Sequence, residues 1–187
     1  TLKDSVNLSE QKGELLEFLL MEEGSDFNAF PLSYAQQRLW FLDQLEPDSP
    51  GYNVPAAISL EGPLNVAALE QSVREIILRH ETLSTTFVTV SGRPVQVTAA
   101  NEEPDFTLED LQELSRDAQQ IEVRRLAVEE ARRPFDLSRG PLLRIKLLRL
   151  SPESDVALLT LHHIISDGWS IGILIEELGA FYEAFVK

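Results

Sequence analysis

The spacing of apolar positions predicts four helices in the body of the chain. Residues 33–45, "SYAQQRLWFLDQL", and 65–80, "NVAALEQSVREIILRH", carry apolar residues at helical intervals, with Ser33 and Asn65 as N-caps. Residues 115–133, "SRDAQQIEVRRLAVEEARR", predict a longer helix that Pro134 ends. A last helix is expected from about Trp169 to the C-terminus.

Shorter segments between these helices have the patterns of strands. Residues 56–62 predict a short strand, and residues 82–100 predict a β-hairpin around the turn "SGRP". "LLRIKLLRL" (142–150) alternates apolar residues with Arg144 and Lys146, which predicts a half-exposed strand. "DVALLTLHH" (155–163) is almost continuously apolar, which predicts a central strand covered on both faces. Helices interleaved with strands indicate an α/β layered domain with a mixed sheet.

The first 29 residues differ in composition from the rest. Residues 8–24, "LSEQKGELLEFLLMEEG", predict an amphipathic helix, and seven acidic residues precede position 30 against two lysines. This shift predicts an inter-domain linker over residues 1–29 and a main domain over residues 30–187. Because the first residue is not Met, we expect the chain to be a piece of a longer protein.

Composition narrows the functional classes. The chain has 187 residues, 31 acidic and 16 basic, and a formal net charge of −15. No basic cluster offers the footprint of a nucleic-acid binder, and the same charge disfavours anionic membranes. The chain contains no cysteine, so it has neither disulfides nor thiolate metal sites, which fits a reducing cytoplasm.

The stretch "HHIISDGWS" holds the candidate chemistry. Side chains of His162 and His163 point to opposite faces of a strand, so they are not expected to share a ligand. His163 lies at a strand end, before a turn with Asp167 and with Gly168, which permits an unusual backbone angle. Such a histidine suits a general base, but a buried structural histidine remains an open alternative. A zinc site is the weaker reading, since the chain has only His80 besides.

These residues have the form HHxxxDG, which resembles the signature of nonribosomal peptide synthetase condensation domains. Three further stretches resemble the family in the expected order: "LSYAQQRLWFLDQLEPDSPGYNVP", "RHETLSTTF" and "RPFDLSRGPLLRIKLLRL". The resemblance covers about residues 30–187. It implies a chloramphenicol-acetyltransferase-like fold and only the N-terminal one of two lobes, preceded by a linker helix.

The resemblance also implies roles for individual residues. His163 would be the catalytic histidine, as a base or as a positioner of the amine. Gly168 would leave its backbone N–H free to approach the reacting groups, while His162 and Asp167 would shape the turn. Arg79 is retained from the family's second motif, but Ser84 stands where that motif has a second arginine. An arginine is expected to pair with Asp167 and hold the turn, and Arg79 and Arg144 are the two candidates.

The activity implied is amide bond formation between a donor acyl or peptidyl thioester and a carrier-bound aminoacyl amine. The expected partners are upstream and downstream carrier domains with phosphopantetheine arms, an adjacent adenylation domain and the absent C-terminal lobe. No directly bound cofactor or metal is expected, and the isolated lobe is expected to be inactive and to expose an apolar face. Two alternatives remain: a non-catalytic docking lobe and a carrier-dependent O-acyltransferase. The wording of the motif suggests an L-donor, L-acceptor subtype.

Overall fold

A computed structural model of the chain describes residues 28–90, 92–98 and 103–187. The predicted linker helix over residues 8–24 therefore lies outside the described residues. The first described element, β1, begins at Asn28.

The larger of two sheets is mixed, as the alternation of elements predicts. Its strands are β2 (Asn53–Glu61), β5 (Asp105–Asp110), β6 (Leu143–Ser151) and β7 (Ser154–His162). They lie in the order β2-β7-β6-β5, with β5 parallel to β6 and the other pairs antiparallel. The predicted central position of β7 is confirmed.

The smaller sheet contains the predicted hairpin and one additional strand. β3 (Thr85–Val90) and β4 (Arg93–Thr98) pair antiparallel, and β1 (Asn28–Pro31) adds to the other edge of β4. A short 3-10 helix, Glu81–Ser84, takes the place of the first residues of the predicted strand. Strands β1 and β5 were not predicted, because "NAFP" is very short and "DFTLED" has only two apolar residues, Phe106 and Leu108.

Four helices cover the sheets, each close to its predicted range: α1 (Tyr34–Leu45), α2 (Val66–Arg79), α3 (Arg116–Arg132) and α4 (Gly168–Val186). Side-chain oxygens of Ser33, Asn65, Ser115 and Asp167 accept backbone N–H groups of their first turns. These polar N-caps start the helices where the sequence changes from loop to apolar repeat. Among the described helices, none is long and apolar enough to cross a membrane.

Both faces of β7 are buried, which fixes the strand that leads to the candidate site. Leu159 and Leu161 join a core cluster that includes Ile76 of α2 and Leu174 of α4. Leu158 points the other way and packs with Leu126 of α3. The prediction of a doubly covered strand is therefore confirmed, and the end of β7 has little freedom to move.

The prediction that Arg144 is on the open face of a half-exposed strand is wrong. Its side chain is 5% exposed and lies 3.7 Å over the ring of Phe135. It donates to the backbone carbonyls of Pro134 and Arg133 at 3.0 and 2.5 Å and pairs with Glu130 of α3 at 3.6 Å. Burial lowers the pKa of Arg144 to about 10, so the guanidinium is charged at neutral pH. The acceptors of the Arg144 guanidinium are at the end of α3, so the alternation of apolar and charged residues along β6 could not predict its burial.

Replacing Arg144 with Ala should destabilise the fold strongly, because buried Glu130 would lose one of its cationic partners. We expect a loss of about 3 kcal/mol in the free energy of unfolding, measured by urea denaturation. Arg139→Ala is the matched control, since Arg139 and Asp136 form an exposed pair at 3.7 Å, and it should cost under about 1 kcal/mol. Equal losses in the two variants would contradict a structural role for the buried pair.

Candidate active site

His162 is the last residue of β7 and is part of the core. Its side chain is 3% exposed, and its ring packs against those of Tyr52 and Phe135. Its Nδ1 accepts the backbone N–H of Ile164 at 3.1 Å. Burial lowers the pKa of His162 to about 4, so the imidazole is neutral at physiological pH. His162 is therefore a buried structural histidine, the alternative to a general base that the sequence left open.

His163 follows directly and is exposed. Its backbone N–H donates to the carbonyl of Tyr52 at 2.8 Å, and its Nδ1 lies 2.5 Å from the carbonyl oxygen of Ser166. A carbonyl only accepts hydrogen bonds, so Nδ1 carries the proton. In the neutral ring the lone pair is then on Nε2, which bonds to no atom of the described residues. This tautomer is the one that a base acting through Nε2 requires.

The turn that contains the Ser166 carbonyl is held in place by buried side chains and by hydrogen bonds. Ile164 and Ile165 are buried in the main cluster, at 4% and 8% exposure. The N–H of Ile165 and the hydroxyl of Ser166 both donate to the carbonyl of His162, at 3.1 and 3.2 Å. Burial of Ile164 and Ile165 and the two hydrogen bonds to the His162 carbonyl therefore fix the position of the Ser166 carbonyl, which is the acceptor for His163.

The expected pairing of Asp167 with an arginine is wrong for the described residues. Asp167 is the N-cap of α4, where its carboxylate accepts the N–H and the hydroxyl of Ser170 at 2.8 and 2.6 Å. The hydroxyl and N–H of Ser170 lower the pKa of Asp167. Arg144 pairs with Glu130 instead, and Arg79 lies 3.5 Å from Glu177. The carboxylate of Asp167 is satisfied by its own helix, so its part in shaping the turn is local capping.

Glu177 is a residue that the sequence reasoning did not single out. It lies in the middle of α4, where its carboxylate is 2.5 Å from Nε2 of His80 and also meets Arg79 at the end of α2. The hydrogen bond with His80 lowers the pKa of Glu177. This contact ties α2 to the helix that begins at Asp167. His80 and Glu177 are 97 positions apart in the chain, so the sequence held no local signal for this contact.

Gly168 and Ser84 also differ from what the motif suggests. The prediction of an unusual backbone angle at Gly168 is wrong. Gly168 has no positive φ and is the first residue of α4. A Cβ added there would meet no atom within 4 Å, so open space adjoins it. The hydroxyl of Ser84 is buried and donates to the carbonyl of Glu81 at 3.1 Å, which closes the short 3-10 helix.

The fold and the site define an α/β domain that presents one exposed histidine at the end of its doubly buried central strand. The chain belongs to the condensation domain family, whose model matches residues 27–187.

Three relatives illustrate the similarity. Linear gramicidin synthase subunits B and C of Brevibacillus parabrevis are 53% and 49% identical over 84% and 85% of this chain. The chain spans only 2–3% of the length of these curated relatives. A solved variant of the starter condensation domain of rhizomide synthetase RzmA, in complex with C8-CoA and Leu-SNAC, is 25% identical with a TM-score of 0.77. That match covers 84% of this chain and 36% of that chain, and it confirms the predicted fold class.

The buried state of His162 predicts a specific pH dependence of stability. Its pKa falls from 6.5 in the unfolded chain to about 4 in the fold, so the unfolded state takes up a proton first as the pH decreases. The stabilisation is complete above about pH 6.5 and is lost as the pH falls to 4. We expect the wild type to lose about 2 kcal/mol more than His162→Gln between pH 7.5 and 5 in urea denaturation. Parallel losses would contradict the assignment, because His80 and His163 are common to both proteins.

Proposed function

We propose that this domain is the N-terminal lobe of a condensation domain that joins a donor acyl or peptidyl thioester to the amine of a carrier-bound aminoacyl acceptor. The observation that carries the proposal is the exposed imidazole of His163, whose Nδ1 lies against the Ser166 carbonyl and whose Nε2 has no hydrogen-bond partner in the described part of the chain. The similar starter domain of rhizomide synthetase binds C8-CoA and Leu-SNAC, an acyl thioester and an aminoacyl thioester. Family membership supports the same pair of substrate types here.

The proposed step begins with attack of the acceptor amine on the thioester carbonyl carbon. A C–N bond forms, the carbonyl oxygen becomes an oxyanion, and Nε2 of His163 takes or orients a proton of the amine. Collapse of the tetrahedral intermediate breaks the C–S bond, and the leaving thiolate receives the proton. The products are the amide and a free thiol, so atoms and charges balance without an oxidant or a metal.

The Ser166 carbonyl serves this step in two ways. It fixes the ring plane, so that Nε2 has one orientation rather than a range of them. Its negative end also faces the Nδ1–H, which stabilises the imidazolium that forms when Nε2 takes the proton. The same geometry of His163 is therefore compatible with both proposed roles, as a base and as a positioner of the amine.

Gly168 is proposed to give the reacting groups access to the start of α4. Its N–H is in the first turn of a helix, where the backbone donors have no intrahelical acceptor. Such a donor beside open space suits an oxyanion, and a side chain at this position would occupy that space. His162 and Asp167 keep their positions in the turn through the core and through helix capping.

The proposed lobe needs partners beyond this chain. Four aromatic side chains of the described residues are exposed: Tyr34 at 91%, Trp169 at 81%, Phe41 at 56% and Phe30 at 50%. Large exposed apolar groups are typical of a surface that another body covers, which favours docking of a C-terminal lobe. Donor and acceptor carrier domains with phosphopantetheine arms, an adenylation domain and a cytoplasmic setting complete the proposal. The L-donor, L-acceptor subtype belongs to it as well.

His163→Ala in a synthetase that carries this domain should abolish condensation between two loaded carrier proteins. Removing a general base typically costs roughly 100-fold or more in rate, and product formation would be followed by mass spectrometry. Because His163 is exposed, the melting temperature should change little. Arg139→Ala is the control for handling and expression, and near-wild-type turnover by His163→Ala would exclude the proposed role.

Replacing Gly168 with Ala tests whether the glycine is needed for its backbone conformation or for the open space beside it. The φ of Gly168 is not positive and its surroundings are open, so thermal unfolding should be unchanged or slightly raised. The condensation rate should fall, because the methyl group enters the space proposed for the reacting groups. Unaltered condensation would show that the space beside Gly168 is not used.

A further inference from the structure

A groove at the other end of the sheet is lined by charge that the proposed function does not use. It lies between α3 and the β6–β7 hairpin and has a volume of about 360 Å³. Ser154 contributes to its wall and begins β7, whereas His162 ends that strand. Eight steps along a strand span roughly 26 Å, so the groove is separate from the candidate active site.

Two arginines form the charged wall of this groove. Arg116 and Arg124 are both exposed on α3, and neither makes an ion pair with any described residue. The neighbouring Arg125 provides the contrast, since it contacts Glu122 and Glu129 at 2.6 Å each. In a chain of net charge −15, two cations that face one groove and have no carboxylate partner among the described residues form a local site for anions.

The floor of the groove is apolar. Val123, Leu150 and Val156 are partly buried and pack against the cluster formed by α3 and the sheet. They lie beside the arginines rather than apart from them, so the groove offers an apolar contact flanked by two guanidinium groups. This combination suits a peptide better than a simple inorganic anion, which would gain nothing from the floor.

The spacing of the arginines defines the ligand further. Arg124 lies eight positions after Arg116 in the helix, a distance of roughly 12 Å along the axis. In an extended peptide, residues i and i+4 lie roughly 13 Å apart on one face, with residue i+2 between them. Two acidic residues at i and i+4 therefore match the two guanidinium groups, and an apolar residue at i+2 matches the floor.

We propose that this groove, which we call the α3 groove, binds an extended acidic segment of a partner polypeptide with the pattern acid-x-apolar-x-acid. The carboxylates pair with Arg116 and Arg124, and the central side chain packs on Val123 and Val156. The contact requires neither His163 nor condensation activity, so it stands or falls independently of the proposed function.

The test is fluorescence anisotropy with a labelled peptide, Gly-Glu-Ser-Leu-Ser-Glu-Gly, titrated with the full chain at 0.15 M salt. We expect saturable binding below about 1 mM. Arg116→Glu and Arg124→Glu should each weaken it at least tenfold. Arg132→Glu is the matched control: it makes the same charge change on the same helix, at a residue outside the groove. It should leave binding within about twofold of the wild type.

Two further comparisons make the proposal falsifiable. Peptides with Leu replaced by Ser, or with both Glu replaced by Gln, should bind more weakly, since each lacks one of the two matched contacts. Circular-dichroism melting verifies that the variants are folded, and Glu near the start of α3 is favourable for a helix. The proposal would be overturned if binding did not saturate below 1 mM, or if Arg132→Glu weakened binding as much as the two groove variants. It would also be overturned if the peptide with Leu replaced by Ser bound as tightly as the original.

Discussion

Burial of β7 on both faces is the constraint on which the rest of the site depends. The strand is covered by α2 and α4 on one side and by α3 on the other, so its last residue, His162, is fixed in the core. The chain then turns at once, with Ile164 and Ile165 still buried. His163 is therefore the first residue that is free to face outward, and its backbone is held from both directions.

This arrangement separates two adjacent histidines chemically. His162 is neutral because burial lowers its pKa to about 4, and its Nδ1 accepts a backbone N–H. His163 has the reverse hydrogen bond, in which Nδ1 donates to a carbonyl. The two rings therefore adopt opposite tautomers, although they are neighbours in sequence. The difference in hydrogen bonding arises from the turn and the core.

The sequence predicted the parts of the fold that repeat and missed those that depend on distant contacts. The caps Ser33 and Asn65, the β3–β4 hairpin and the central position of β7 followed from local patterns, and all were confirmed. The environment of Arg144 was missed, because its acceptors are at the end of α3.

The candidate site shows the same division. The HHxxxDG motif pointed to His163, and the two histidines do face different surroundings, but His163 lies in the turn after β7 rather than on the opposite face of the strand. The partner of Asp167 was predicted wrongly, since a capping hydrogen bond to Ser170 satisfies it within one turn. Neither the Ser166 carbonyl nor the contact of Glu177 with His80 was foreseen: a backbone acceptor has no sequence signature, and Glu177 is far along the chain from His80.

The site depends most on the hydrogen bond that holds His163 with its proton on Nδ1 and leaves the lone pair on Nε2. Long-range ¹H–¹⁵N correlation spectra of the chain with ¹⁵N-labelled histidine, recorded at pH 7.5 and assigned with His163→Ala, measure this directly. We predict an Nδ1–H tautomer for His163 and an Nε2–H tautomer for His162. An Nε2–H tautomer at His163, or rapid exchange between its two tautomers, would contradict this prediction.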